Sequence, residues 1–203
     1  MTTAERIFNK PRSSLWHIAA YPISISTAGM IAEELRDLPQ NARILDVGIG
    51  TGIIAKHLKD KLNVQVDGVD ASLSMLAIAE KRLGPSSKLM KSDATGLQVP
   101  AYSYDAVMYN YVFRYVNPMS AEDVLSEAAR VVKSNGKAIV SDLNLPRLRP
   151  LSQPLHESPD VNLLGIWSRF SRQGLADMAR GYGLEYEKTR YPFLSFLMVF
   201  RKT

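Results

Sequence analysis

Residues Arg43 to Lys56 read RILDVGIGTGIIAK: a short apolar strand that runs into three glycines and emerges as a helix. Ile44, Leu45 and Val47 suit a buried strand, and Gly48, Gly50 and Gly52 allow a sharp turn whose backbone can lie against a ligand. This is the pattern of a cofactor loop. A dinucleotide fingerprint counted from Gly48 needs a small residue where the chain has Ile53, and a phosphate-binding P-loop needs Gly-Lys-Ser/Thr where it has Gly52-Ile53-Ile54. Neither phosphate reading fits.

The run Asp46-Val47-Gly48-Ile49-Gly50-Thr51-Gly52 resembles the first motif of the class I S-adenosylmethionine-dependent methyltransferases. The resemblance implies close backbone approach to the ribose and methionine portions of that cofactor, with Asp46 as the carboxylate for its ammonium group. Downstream, Val64, Val66 and Val69 alternate as a second strand and deliver Asp70, 18 residues beyond Gly52. One crossover helix and a return strand put such a carboxylate beside the first turn, where it can accept from both ribose hydroxyls. A helix cap is the competing role for Asp70. Ser72 is expected to cap the next helix, with Leu73, Leu76, Ala77 and Leu83 facing inward.

The third strand, Lys88 to Lys91, ends in Ser92-Asp93-Ala94, and the loop on to Pro100 resembles the G-D-A-x-x-L-P-F stretch of methyltransferases of ubiquinone and menaquinone biosynthesis. There the acid accepts from the adenine amino group; here Ser92 replaces the usual glycine, and a surface turn is the alternative for Asp93. The strand Ala106 to Tyr109 resembles the family's S-F-D-x-V stretch, whose end lies against the methionine moiety and opens onto the substrate. The resemblance thus implies a cofactor set of Asp46, Gly48, Gly50, Gly52, Asp70, Ala71, Asp93, Ala94 and Asn110. Where the family often carries a histidine pair, this chain has Arg114-Tyr115. Arg114 becomes either an anchor for an anionic substrate or an exposed helix residue. Ser120 is expected to cap a helix, with Asp123 at the capping-box position. Ser134-Asn135-Gly136 ends that helix before a fifth strand, Lys137 to Asp142, and Glu127 to Asp142 again resembles the family.

Upstream, an amphipathic helix is expected from Thr27 to before Pro39, preceded by an aromatic lead-in containing Trp16, His17 and Tyr21. In similar methyltransferases this segment covers the cofactor, which makes Trp16 and Tyr21 substrate-binding candidates; simple packing onto the domain is the alternative, and it is the favoured reading for His17. Residues 145–168 are proline-rich and hold His156, which joins Tyr111 and Tyr115 as a candidate general base. A helix capped by Ser171 and a hairpin pairing Glu185 to Tyr191 with Leu194 to Arg201 close the chain. The family resemblance implies that the hairpin inserts an antiparallel seventh strand.

The 203 residues, 46% hydrophobic and 22% charged, suit one soluble domain: an N-terminal lid and helix (1–40), a cofactor-binding core (41–144), and a substrate-side insertion with a C-terminal hairpin (145–203). The expected fold is a three-layer, Rossmann-like α/β class I methyltransferase fold, with a mostly parallel seven-stranded sheet and helices on both faces. No cysteine is present and the three histidines are scattered, which argues against a metal site. Early charge and proline, and the lack of a long apolar run, point to the cytoplasm. The net charge of +5 divides as +2, −1 and +4 over residues 1–20, 21–144 and 145–203. A solvated surface explains it; attraction to an anionic substrate, lipid surface or RNA is the functional alternative. The expected activity is S-adenosylmethionine-dependent methyl transfer to a small molecule. A phospholipid headgroup or RNA as acceptor, or cofactor binding without turnover, are the alternatives. No RNA-binding module is visible, peripheral membrane contact stays open, and the sequence carries no signal of oligomeric state.

Overall fold

A computed structural model describes residues 21–143, 171–192 and 194–203. Its described elements, in chain order, are α1 (Tyr21–Leu35), β1 (Ala42–Val47), α2 (Ile53–Lys61), β2 (Val64–Asp70), α3 (Leu73–Leu83), β3 (Leu89–Lys91) and β4 (Tyr104–Asn110). Two 3₁₀ turns follow (Phe113–Tyr115 and Pro118–Ser120), then α4 (Ala121–Val131), β5 (Val132–Leu143), α5 (Arg172–Arg180), β6 (Leu184–Arg190) and β7 (Ser195–Lys202).

The seven strands form one sheet in the order β3-β2-β1-β4-β5-β7-β6. Strands β1 to β5 pair in parallel, while β7 runs antiparallel between β5 and β6. This is the seven-stranded, mostly parallel fold expected from the sequence, including the inserted antiparallel strand. The central strands are buried on both faces, as parallel strands covered by helices must be. On one face Ala28, Ile31 and Leu35 of α1, Ile54 and Leu58 of α2 and Ala79 of α3 pack on Ile44, Val66, Met108 and Ile139. On the other, Val124, Leu125 and Ala128 of α4 and Leu175 and Ala179 of α5 pack on Leu45, Val107, Val140 and Phe200. Strand order reverses between β1 and β4, so a crevice opens at their carboxyl ends, the position where open α/β sheets bind ligands.

Several local expectations are corrected. Helix α1 is already formed at Tyr21, the first described residue, ahead of the expected Thr27. In α3 the buried residues are Met75, Leu76, Ala79 and Leu83; Leu73 is 63% exposed and Ala77 also faces solvent. Ser72 does cap this helix, accepting from the Met75 N–H. Ser120 caps nothing with its side chain. The chain enters α4 through a 3₁₀ turn, where Asn117 accepts the Met119 N–H on its side chain and the Ser120 N–H on its carbonyl. Finally, Ser134 to Gly136 lie within β5 as an irregular stretch, with Asn135 at φ 62. Among the described residues no helix is long and apolar enough to cross a membrane.

Candidate functional site

The glycine loop is pinned before any ligand is considered. The Gly48 and Ile49 N–H groups donate to the Val69 carbonyl at 2.8 and 3.0 Å, carrying the turn across the end of β2. Ile49 packs directly on Gly68 in mid-β2, where a Cβ would sit 2.3 Å from its Cδ1. Gly48 has φ +73, and Val112 occupies the space a Cβ there would need, at 2.4 Å. Gly50 differs: φ is +53, yet the nearest atom to an added Cβ is the Gly48 carbonyl oxygen, 4.0 Å away. The loop's open side therefore lies above Gly50.

Around that opening stand the acids. Asp46 is 2% exposed, and its Oδ1 accepts from the Asn110 amide at 3.2 Å. Asn110 is oriented by the Ser141 hydroxyl, which donates to its Oδ1 at 2.7 Å. The row Asp46, Asn110, Ser141 thus crosses from β1 through β4 to β5. Burial raises the Asp46 pKa to about 8; the Asn110 hydrogen bond opposes this and the nearby Asp70 adds to it. A buried carboxylate whose hydrogen-bond partner is a neutral amide has capacity for a cation, so the donor set fits an amino-acid ammonium group.

Asp70 is 9% exposed and bound on both oxygens: the Gly50 N–H donates to Oδ2 and the Ser72 N–H to Oδ1, each at 2.8 Å. Burial raises its pKa, while the N–H groups of Ser72, Gly50 and Ala71 pull it back. The helix-start role and the loop-side placement coexist, because one oxygen serves each. Ala71 follows at the bend. The Ser92 N–H donates to the Asp70 carbonyl at 3.2 Å, which sets Asp93 at the neighbouring strand end. Asp93 is exposed, with Oδ1 held by the Thr95 N–H and hydroxyl at 3.0 and 2.8 Å. Ala94 beside it is partly buried against the core.

A second cluster follows β4. Arg114 is 8% exposed in a 3₁₀ turn, which removes the exposed-helix reading, and it ion-pairs with the fully buried Asp142. Its guanidinium lies 5.5 Å from the Tyr111 ring centre and 6.0 Å from that of Tyr115. Arg114 Nε and Asp142 Oδ2 have no hydrogen-bond partner among the described residues. Burial lowers the Arg114 pKa, with Tyr115 and Tyr111 opposing. The Tyr111 hydroxyl is bonded to Thr27 at 2.7 Å, and burial raises its pKa. Tyr21, at the start of α1, is 51% exposed. Trp16, His17 and His156 lie outside the described residues.

The structure therefore joins Asp46, the glycine loop, Asp70 and Asn110 through direct bonds, and groups Tyr111, Tyr115 and Arg114 separately. Sequence reading missed Thr27, Val112, Ser141, Asp142 and Ser195. Ser141 and Asp142 stand in a string matched to the family without a role, and the others become neighbours only through sheet topology. A polar cleft of about 300 Å³, lined by Glu33, Glu34, Arg36, Asp37, Lys137, Lys188 and Arg190, lies away from these groups.

Residues 44–136 match the family described as a methyltransferase domain. A demethylmenaquinone methyltransferase of Thermotoga maritima is 35% identical over 108 residues, 53% of this chain and 46% of the relative. A phosphatidylethanolamine N-methyltransferase of Cereibacter sphaeroides is 32% identical over 106 residues, 50% of each. The matched stretch thus spans about half the length of these relatives. Among solved structures, the magnesium protoporphyrin IX methyltransferase of Synechocystis PCC 6803 with bound SAH superposes with a TM-score of 0.74 over 98% of both chains, at 17% identity.

Proposed function

We propose that this chain, whose residues 44–136 match a methyltransferase domain, transfers the methyl group of S-adenosylmethionine to a lipophilic small molecule of the quinone kind. The observation that carries the reading is the buried Asp46 carboxylate, matched among the described residues only by an amide, beside a glycine turn open at Gly50 and closed by Asp70. Asp46 would hold the ammonium group, Asp70 the ribose hydroxyls, and Asp93 the adenine amino group through the oxygen that Thr95 leaves. Asn110 keeps Asp46 in place, and Ala71 and Ala94 line the same strand ends.

When bound, S-adenosylmethionine supplies a methyl group on a positively charged sulfur, which takes back the electron pair as the acceptor bonds to carbon. The protein's task is to align the acceptor with that bond and keep water out. Among Tyr111, Tyr115 and His156, Tyr111 is the weakest candidate for a base, since its hydroxyl is engaged by Thr27 and its proton is held more tightly by burial. Arg114, Tyr21 and Trp16 remain the proposed acceptor side. The similarity to demethylmenaquinone and phosphatidylethanolamine methyltransferases supports an acceptor soluble in lipid, with the quinone type favoured by the higher identity.

Calorimetric titration with S-adenosylmethionine, S-adenosylhomocysteine and NAD tests the cofactor, followed by labelled-methyl transfer to a demethylated quinol and to phosphatidylethanolamine vesicles. Micromolar binding of the first two and label in the quinol are expected. Binding of NAD alone would overturn the reading, label in the phospholipid would change the acceptor, and tight binding without transfer would leave a non-methylating binder.

A further inference from the structure

The backbone reverses just after β4 at Tyr111, whose φ of 62 lies in the left-handed region that aromatic residues rarely adopt. Its N–H still donates to the Ser141 carbonyl at 2.8 Å, so the chain stays on β5 while it turns. The reversal separates two contacts with the glycine loop. On one side Asn110 donates to Asp46; on the other Val112 lies over the Cα of Gly48. A clamp of three consecutive residues thus grips the end of β1 and the first residue of the turn that follows it.

Such a conformation persists only where its surroundings enforce it. Here the enforcing contact is distant in sequence. The Tyr111 hydroxyl is 2.7 Å from Thr27 Oγ1 in α1, and Thr27 is 2.9 Å from Ser195 Oγ at the start of β7. Thr27 and Ser195 are fully buried. Two elements that contribute nothing directly to the loop, α1 and β7, are therefore tied to it through one phenol.

We propose that Tyr111 is a positioning residue: its hydroxyl, anchored through Thr27 to Ser195, holds the Asn110–Val112 clamp on Asp46 and Gly48 and so sets the shape of the cofactor loop. The hydroxyl transfers no proton. This rests on the cofactor assignment above, and the two are separable by experiment.

S-adenosylhomocysteine affinity is measured by calorimetry on the full chain for wild type, Tyr111→Phe, Thr27→Val and the double variant. Lys188→Met serves as a control that loosens the hairpin far from the loop. Each single variant loses the Tyr111–Thr27 hydrogen bond, Thr27→Val together with the bond to Ser195, and each should weaken binding by roughly 3–10-fold. Because both remove the same bond, the double variant should be no more than about twofold weaker than either single one. The control should bind like wild type. Failure of the wild type to bind would sink the cofactor reading itself. Wild-type binding with a folded Tyr111→Phe of unchanged affinity would overturn the positioning role alone, as would additive losses or an equal loss in Lys188→Met.

Discussion

Glu34 and Asp46 are both buried carboxylates, 5% and 2% exposed, yet they are treated in opposite ways. Glu34 sits where the last turn of α1 meets the β6–β7 hairpin and is gripped by Lys188 at 3.0 Å and Arg190 at 2.9 Å. Burial would raise its pKa, but the hydrogen bonds and charges of these two cations overcome it and the pKa falls. Asp105 shows the same balance: burial is outweighed by Lys133 at 2.7 Å and the Arg43 N–H at 2.8 Å. Among the described residues Asp46 has an amide instead of a cation, and its pKa rises to about 8. The difference teaches where the fold has completed its own electrostatics and where it has left them for a ligand to complete. It also explains why the charged cleft beside Glu34, roomy as it is, makes a poor cofactor site: its acids already have their partners.

The Arg114–Asp142 pair lies between these cases, buried like Asp46 and ion-paired like Glu34. Arg114→Met should give the largest change, a loss of about 3–5 kcal/mol in denaturant unfolding, because Asp142 would remain buried and unpaired. A loss under about 1 kcal/mol would mean that solvent reaches the pair.

Asp46→Asn sharpens the contrast most directly. It should weaken S-adenosylmethionine binding by about 3 kcal/mol, the upper range for a hydrogen bond to a charged group. Its stability effect has the opposite sign to that of a structural acid. With a pKa raised from 3.8 to about 8, wild-type Asp46 favours the folded state fully below about 4, and that contribution is lost as the pH rises through about 8. Asp46→Asn should flatten this slope in unfolding curves recorded across the window. Cofactor binding at pH 7 should also release protons if the ammonium ionises Asp46, readable from calorimetry in buffers of different ionisation enthalpy. Absence of both effects would show Asp46 to be ionised already, and the comparison would collapse.

Asp70→Ala should cost about 1.5–3 kcal/mol of cofactor affinity, and an unchanged affinity would remove its ribose role. The smallest effect is expected of Glu34→Gln, about 1 kcal/mol of stability, since Arg190 keeps Glu33 and Lys188 is half exposed. That contribution is present above pH 4.5 and lost as the pH falls through the lowered folded value. Cofactor affinity should not change; a loss there would tie the hairpin edge to the binding site.

Much of this was legible in the chain because its signals are local. The glycine turn, the spacing from Gly52 to Asp70 and the alternation of Val64, Val66 and Val69 depend on neighbours within one βαβ unit. Local signals also misled. Leu73 and Ala77 match a helical period, but the register of α3 on the sheet buries Met75 and Ala79 instead. Ser120 has the composition of a cap, but Asn117 makes the turn first. The partners of Arg114 and Tyr111 were out of reach for a different reason. Asp142 reaches Arg114 through the pairing of β5 with β4, and Thr27 meets Ser195 only because β7 inserts next to β5.

That insertion has a consequence for how the molecule comes into being. Strand β5 finds its second neighbour only in β7, made between 52 residues later (Leu143 with Ser195) and 64 residues later (Lys137 with Arg201). During synthesis the glycine loop and the acids around it can be assembled on β1 to β4 while β5 still presents a bare, strongly apolar edge containing Ile139 and Val140. The newborn chain thus keeps an open sheet edge until its last strand arrives, and that same strand brings Ser195 to the anchor of Thr27 and Tyr111.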